Sequence, residues 1–270
     1  MKMAMERVWV IGAGFLGDAL AAACRSAGAR VLTIDAAGHA SLCGSAAEQT
    51  VLQQALQRFH PEVVFCCTAT HGGDAAAYRQ AYLRPAEQLA SLVKESRIVF
   101  CSSTSVYARL PELVVTEESP VLAENERSQI LLQAEEVVMQ SGGIVARLAP
   151  LYGPGRCELL RRYMNALPVL PGAPGRTMNY LHRDDAVSAL LLLGGLPDPA
   201  HSLYNVSGEH FTKESIYTQL EAAFHIGLNA CESSPSQRGV SDRLVDCTRL
   251  RHAGWSPRFR LLDSAHEWKE

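Results

Sequence analysis

The stretch "VIGAGFLG", Val10 to Gly17, narrows the possible folds more than any other part of the chain. Its glycines at 12, 14 and 17 follow the apolar, β-branched run "RVWVI" (7–11) and open an alanine-rich stretch that continues to Gly28. A strand that turns through GxGxxG into a helix is the signature of a dinucleotide-binding βαβ unit. Gly12 permits the tight turn, Gly14 lets backbone N–H groups approach a pyrophosphate, and Gly17 lets helix and strand pack closely. The helix N-terminus, with Phe15 and Leu16 in its approach, favours the negative charge. Asp35 ends the next strand, "RVLTID", 18 residues after Gly17. It is placed to accept hydrogen bonds from adenosine ribose hydroxyls and to repel a 2′-phosphate. No Arg follows it in Ala36-Ala37-Gly38, so NAD is favoured over NADP. Thr68 and Ala69, at the end of "PEVVFCCTA" (61–69), are assigned to the same cofactor site.

The remaining pattern alternates short apolar runs with helical stretches, which predicts an α/β fold with a doubly wound parallel sheet of Rossmann type. Strands are expected at 7–11, 30–35, 61–69, 97–103 and 143–150, with a weak one near 40–44. Helices are expected at 46–59, 74–95 (kinked or divided by Pro85) and 126–141. Beyond Leu151 the texture changes: 153–176 is rich in Gly and Pro. Strand-like "TMNYL" (177–181) and "LYNVS" (203–207) follow, with helices at 184–194, 212–224 and near 261–269. The expected organisation is a core of residues 1–150, with 177–206 adding late elements. A smaller C-terminal substrate lobe, mainly 151–270, is interleaved with it.

Composition excludes several classes. A formal charge of −3 and the lack of a basic stripe with interleaved aromatics argue against nucleic acid as a partner. No apolar run has membrane-spanning length, and removing the N-terminal run as a signal peptide would destroy the glycine motif. The eight cysteines form no CxxC pair, and several sit in apolar strands, as buried reduced thiols do. A cytoplasmic location is expected.

With the glycine motif in place, later segments resemble the extended short-chain dehydrogenase/reductase family of NAD-dependent epimerases and dehydratases. "FCSSTSVYA" (100–108) is similar to the family's SS(S/T)xxVYG segment, and "ARLAPLYGPG" (146–155) to RxxNVYGPG. "NYLHRDDAVSALLLL" (179–193) resembles FIHVDDVAxAI, "LYNVSGEHFTKESI" (203–216) resembles YNVGxGxxxT, and "RLRHAGWSPRF" (249–259) resembles KLGWxP. "HPEVVFCCTAT" (60–70) looks like the fourth strand. The resemblance spans nearly the whole chain and implies a Rossmann core, a small-molecule substrate such as a nucleotide sugar, and a homodimer through helices 74–95 and 126–141.

The departures from the family pattern concern catalysis. The glycine loop is one residue shorter than the usual GxxGxxG, and Gly44-Ser45 stands where Gly-Asp is usual. Aligning Ala134-Glu135 with YxxSKxxAE puts Arg127 at the Tyr position and Leu131 at the Lys position; Tyr82 takes the usual Asn position. Ser103 alone remains of the standard set. Replacement acid/base candidates are His71, after the fourth strand, and Tyr107, close to Ser103. Tyr152, Tyr180 and His182 lie in segments that approach the cleft in relatives, and Arg147 is expected to play a positioning role. An Asp of the Asp184-Asp185 pair is expected to cap the helix it opens. Arg176 and the arginines of "GRCELLRR" (155–162) could neutralise a phosphate. Two functions follow: an oxidoreductase or epimerase-like enzyme with non-standard acid/base groups, or a non-catalytic dinucleotide-binding sensor or scaffold.

Overall fold

The unbroken apolar runs become the centre of a seven-stranded, all-parallel sheet. The computed structural model describes residues 5–36, 40–70, 72–108, 114–121, 123, 125–157, 161, 165, 173–224 and 242–260. In chain order the described strands are β1 (Arg7–Ile11), β2 (Arg30–Asp35), β3 (Leu42–Cys43), β4 (Val63–Cys66), β5 (Arg97–Ser103), β6 (Val114–Val115) and β7 (Ile144–Leu148). They continue with β8 (Leu151–Tyr152), β9 (Thr177–Asn179), β10 (Leu181–His182), β11 (Leu203–Val206), β12 (His210–Thr212) and β13 (Leu244–Val245). The large sheet runs β11-β7-β5-β4-β1-β2-β3, and the six short strands make three separate pairs, β8 with β10, β9 with β12 and β6 with β13.

Alternation along each strand feeds two cores. Val8 and Val10 point to the face covered by α1 (Gly17–Ser26) and by a later helix, Arg183–Gly195. Trp9 and Ile11 point to the face covered by α2 (Gln49–Arg58), α4 (Arg84–Leu92) and α5 (Glu126–Gln140). The first helix ends where the sequence expects. Gly28, at φ +91°, donates to the Arg25 carbonyl and Ala29 to that of Cys24, closing the helix in a left-handed turn.

The expected helix 74–95 is divided, but upstream of its proline. A single α-turn, α3 (Ala75–Tyr78), passes into a π-helical segment, Arg79–Leu83, and α4 then carries Pro85 in its first turn. Pro85 has no N–H to offer the Ala81 carbonyl four residues back. The Thr68 hydroxyl donates to that carbonyl instead, at 2.5 Å.

Other expectations shift slightly. "TMNYL" forms two short strands, β9 and β10, rather than one, and an unexpected helix occupies Thr248–His252. Helix Arg183–Gly195 is capped by His182, whose Nδ1 accepts from the Asp184 N–H at 3.2 Å, and not by an Asp. Buried Asp185 accepts instead from the N–H groups of Arg258 and Phe259, tying the chain's later segment to this helix. The expected helix near 261–269 lies outside the described residues. Among the described residues, no helix is long and apolar enough to cross a membrane.

Candidate functional site

The strand order reverses between β1 and β4, because the chain runs from β1 to β2 on one side and takes up the other side at β4. In doubly wound sheets the crevice beyond the strand ends at such a reversal binds ligands. Here it opens into a cavity of about 730 Å³. Gly12, Gly14, Phe15, Leu16, Gly17 and Asp35 line its first side, and Thr68, Ala69 and Ser103 line the strand ends beside them.

The three glycines have different reasons to be glycine. Gly12 sits at φ +89°, and a Cβ there would lie 2.8 Å from the Cys67 carbonyl. A Cβ on Gly17 would lie 1.8 Å from the Gly12 carbonyl oxygen, so strand and helix meet only without it. A Cβ on Gly14 would meet nothing within 4 Å; its Cα faces the cavity. α1 begins beside it, and its N-cap residue Leu16 makes no side-chain cap hydrogen bond. Asp35 reaches back to this loop, with Oδ2 accepting from the Ala13 N–H at 2.8 Å.

At the strand ends, Ser103 opens a 3₁₀ turn, Thr104–Val106, and its Oγ accepts from the Ser105 N–H at 3.1 Å. Tyr82, brought to the cavity by the π segment, accepts from the Thr70 N–H at 3.3 Å. Burial pushes its phenol above the ordinary tyrosine value, so the hydroxyl stays protonated. Leu131 contributes an apolar patch to the wall, whereas Arg127 is exposed with its guanidinium 6.0 Å above the Tyr78 ring. Across the cavity stand Tyr180, Arg156 and Arg176. Arg156 also lies over the Phe15 ring at 5.1 Å.

The structure does not bring every candidate into the cavity. Tyr107 is 3% exposed and outside the lining; its hydroxyl donates to Asn205 Oδ1 at 2.6 Å, and the Arg147 guanidinium lies 4.7 Å from its ring. Its phenol is raised by burial, against the pull of Arg147. His71 lies outside the described residues. His182 and Tyr152 pack against one another, ring centroids 5.1 Å apart, and neither lines the cavity.

Two clusters were not read from the sequence. Arg147 pairs with Glu135 at 2.6 Å, both essentially buried, and Ser102 Oγ donates to the same carboxylate. Burial opposes the charge on Arg147, but the hydrogen bonds and charge of Glu135 outweigh it and raise the guanidinium above its ordinary value. The group locks α5 to β5 and β7 directly behind Ser103. Buried Arg243, which also lines the cavity, donates to the carbonyls of Thr104, Tyr107 and Ala108 and fixes the turn after Ser103. Arg243 stands more than 130 residues along the chain from that turn, so no local pattern announces the contact.

A parallel sheet with this crevice, glycine loop and acidic strand end defines a dinucleotide-binding α/β protein. A family model described as the NAD dependent epimerase/dehydratase family matches residues 8–207, and the chain belongs to that family. No curated protein matches the chain. Solved structures share its fold at low identity. A short-chain dehydrogenase/reductase superfamily protein from Agrobacterium tumefaciens with bound NAD aligns at TM-score 0.82 and 19% identity, over 97% of each chain. WbmG from Bordetella bronchiseptica, in complex with NAD, aligns at 0.80 and 17%, over 98% of this chain and 93% of that one. The UDP-glucose 4-epimerase of Thermotoga maritima, with UDP-glucose, aligns at 0.76 and 17%, over 94% of each chain.

Proposed function

We propose that the chain is an NAD-dependent enzyme of epimerase/dehydratase type that acts on a nucleotide-sugar-like substrate with non-standard acid/base groups. The observation that carries this is Gly14. Among the described residues nothing requires a glycine there, whereas a pyrophosphate lying against the loop would. The residues fit the cofactor: backbone N–H groups at the start of α1 would hold the pyrophosphate, and Asp35 the adenosine ribose. When bound, the nicotinamide supplies or accepts a hydride.

The chain's own residues then orient the substrate and handle its proton. Ser103, with Oγ already accepting from Ser105, directs its hydroxyl hydrogen to a substrate oxygen, and the protonated Tyr82 phenol stands on the same cavity wall. Leu131 offers no ammonium to lower a phenol's pKa, which separates this site from the standard Tyr-Lys arrangement. His71, just beyond β4, is the proposed proton acceptor; Tyr107 supports the Ser103 turn from behind. Arg156 and Arg176 line the same cavity, and their guanidinium groups would suit a phosphorylated substrate. This favours an enzyme over a non-catalytic binder and supports a C-terminal segment, mainly 151–270, that serves the substrate. Leu132, Val137 and Met139, only partly buried on α5, support a homodimer through helices 74–95 and 126–141. The seven described cysteines are all free, which fits a reducing, cytoplasmic setting.

Titration with NADH and NADPH, followed by nicotinamide fluorescence, tests the reading. NADH is expected to bind, and more tightly than NADPH; binding of neither overturns it. With a panel of UDP-sugars and NAD, His71→Ala is expected to abolish turnover, and unchanged turnover removes His71 from the mechanism.

A further inference from the structure

Two thiols stand side by side in the crevice wall, and the proposed reaction uses neither. Cys67 follows β4 directly, and Cys101 lies in β5. Because Cys66 pairs with Phe100, the parallel register sets Cys67 beside Cys101. Both side chains point to the face covered by α1, both residues line the cavity, and their Sγ atoms are 3.6 Å apart. Cys66, next in sequence, belongs to the core on the opposite face and is not placed to compete.

In-register neighbours on adjacent strands have Cα atoms about 4.8 Å apart, inside the range a disulfide bridges. Closing the bond requires the sulfurs to approach by about 1.5 Å, which side-chain rotation and a small strand shift can supply. We propose that Cys67 and Cys101 form a redox-active dithiol in the crevice wall, oxidised to an intramolecular disulfide by a low-molecular-weight disulfide. Cys67 gives up its thiol proton to solvent as its sulfur attacks the reagent RSSR, forming Cys67–S–SR and releasing RS⁻, which takes up a proton. The Cys101 thiolate then attacks the Cys67 sulfur and expels the second RS⁻. In sum, two protein thiols lose two electrons and two protons, and RSSR is reduced to two RSH.

The pair is wired to the glycine loop. The Cys67 N–H donates to the Ile11 carbonyl at 2.7 Å, and the Gly12 turn rests against the Cys67 carbonyl. Drawing Cys67 towards Cys101 pulls the end of β4 from the turn that shapes the pyrophosphate site. Oxidation therefore weakens dinucleotide binding, and by linkage a bound dinucleotide disfavours the disulfide by the same factor. This coupling, unlike the dithiol itself, rests on the dinucleotide reading.

The test equilibrates the full chain in buffers of oxidised and reduced glutathione, quenches with acid and an alkylating agent, and maps the peptides by mass spectrometry. A Cys67–Cys101 cross-link, two hydrogens lighter than the reduced pair and reversed by reduced glutathione, is expected. It should be absent from Cys67→Ser and Cys101→Ser. The wild-type map is decisive even where a variant fails to fold: glutathione adducts alone, or a link through Cys66 or Cys24, overturns the proposal. Repeating the equilibration with saturating NADH should lower the oxidised fraction several-fold. An unchanged fraction, with binding confirmed by fluorescence, refutes the coupling. If NADH does not bind while the cross-link still forms, the dinucleotide reading fails and the dithiol stands.

Discussion

Gly14 and Gly17 look alike in the sequence, and the structure separates them. Gly14→Ala adds a methyl group to open space, so it should leave thermal stability within about 0.5 kcal/mol of the parent. The same methyl would stand where a pyrophosphate lies, so NADH affinity should fall by about tenfold or more. Gly17→Ala forces a Cβ into the Gly12 carbonyl and should lose both stability and binding. Calorimetry beside fluorescence titration distinguishes the two; equal losses for both variants would remove the ligand argument from Gly14. His210 sets a second expectation at this scale. Burial, then the Arg251 cation, lowers its pKa below the ordinary histidine value, and its buried Nδ1 has no hydrogen-bond partner among the described residues. Folding therefore favours the neutral ring. The stability this gives is present above a pH of about 6.5 and is lost as pH falls below it, where the unfolded chain takes up the proton first. A plot of melting temperature against pH should fall less steeply for His210→Gln than for the parent between about pH 7 and pH 5; superimposable slopes would exclude His210 as a contributor.

The elements show what a sequence discloses and what it hides. Unbroken apolar runs and glycine-flanked turns are local, so β1, β2, β5 and α5 follow from reading a few residues at a time. Pro85 was legible as a breaker, but the π segment before it was not, because its form depends on Thr68 reaching the Ala81 carbonyl from another element. The site divides in the same way. Gly12, Asp35 and Ser103 carry motif signals, whereas Glu135, Arg147 and Ser102 become a cluster only once three elements meet. Arg243 joins the cavity across an even longer stretch of chain. Thr68→Val tests the repair of the helix break: it keeps the shape and removes the donor to Ala81. A loss of about 1 kcal/mol is expected from chemical denaturation. Faster amide hydrogen exchange confined to residues 79–84 should accompany it, because those N–H groups belong to the widened turn or adjoin it; exchange unchanged there would show the π segment to be independent of Thr68.

On the scale of the molecule, the sheet is completed by chain that returns late. After β13 the chain forms Thr248–His252 and then crosses to helix Arg183–Gly195. There Asp185 receives two backbone N–H groups, and the Trp255 Nε1–H donates to Ser188 Oγ at 2.8 Å. Leu250 and Trp255 insert into the same core that backs β1 and the glycine loop. This makes the later segment part of the support for the crevice and not an appendage. Removing the carboxylate in Asp185→Ala leaves both N–H groups without their charged acceptor, with an expected loss of about 3 kcal/mol. Urea unfolding followed by both tryptophan fluorescence and far-ultraviolet circular dichroism measures it. If the segment is integral, the two signals should shift together to lower urea in one transition. A fluorescence change that precedes the dichroism change would mean that residues 248–259 detach before the sheet unfolds. NADH should raise the midpoint of parent and variant alike, because the glycine loop lies on the same core that Leu250 and Trp255 complete.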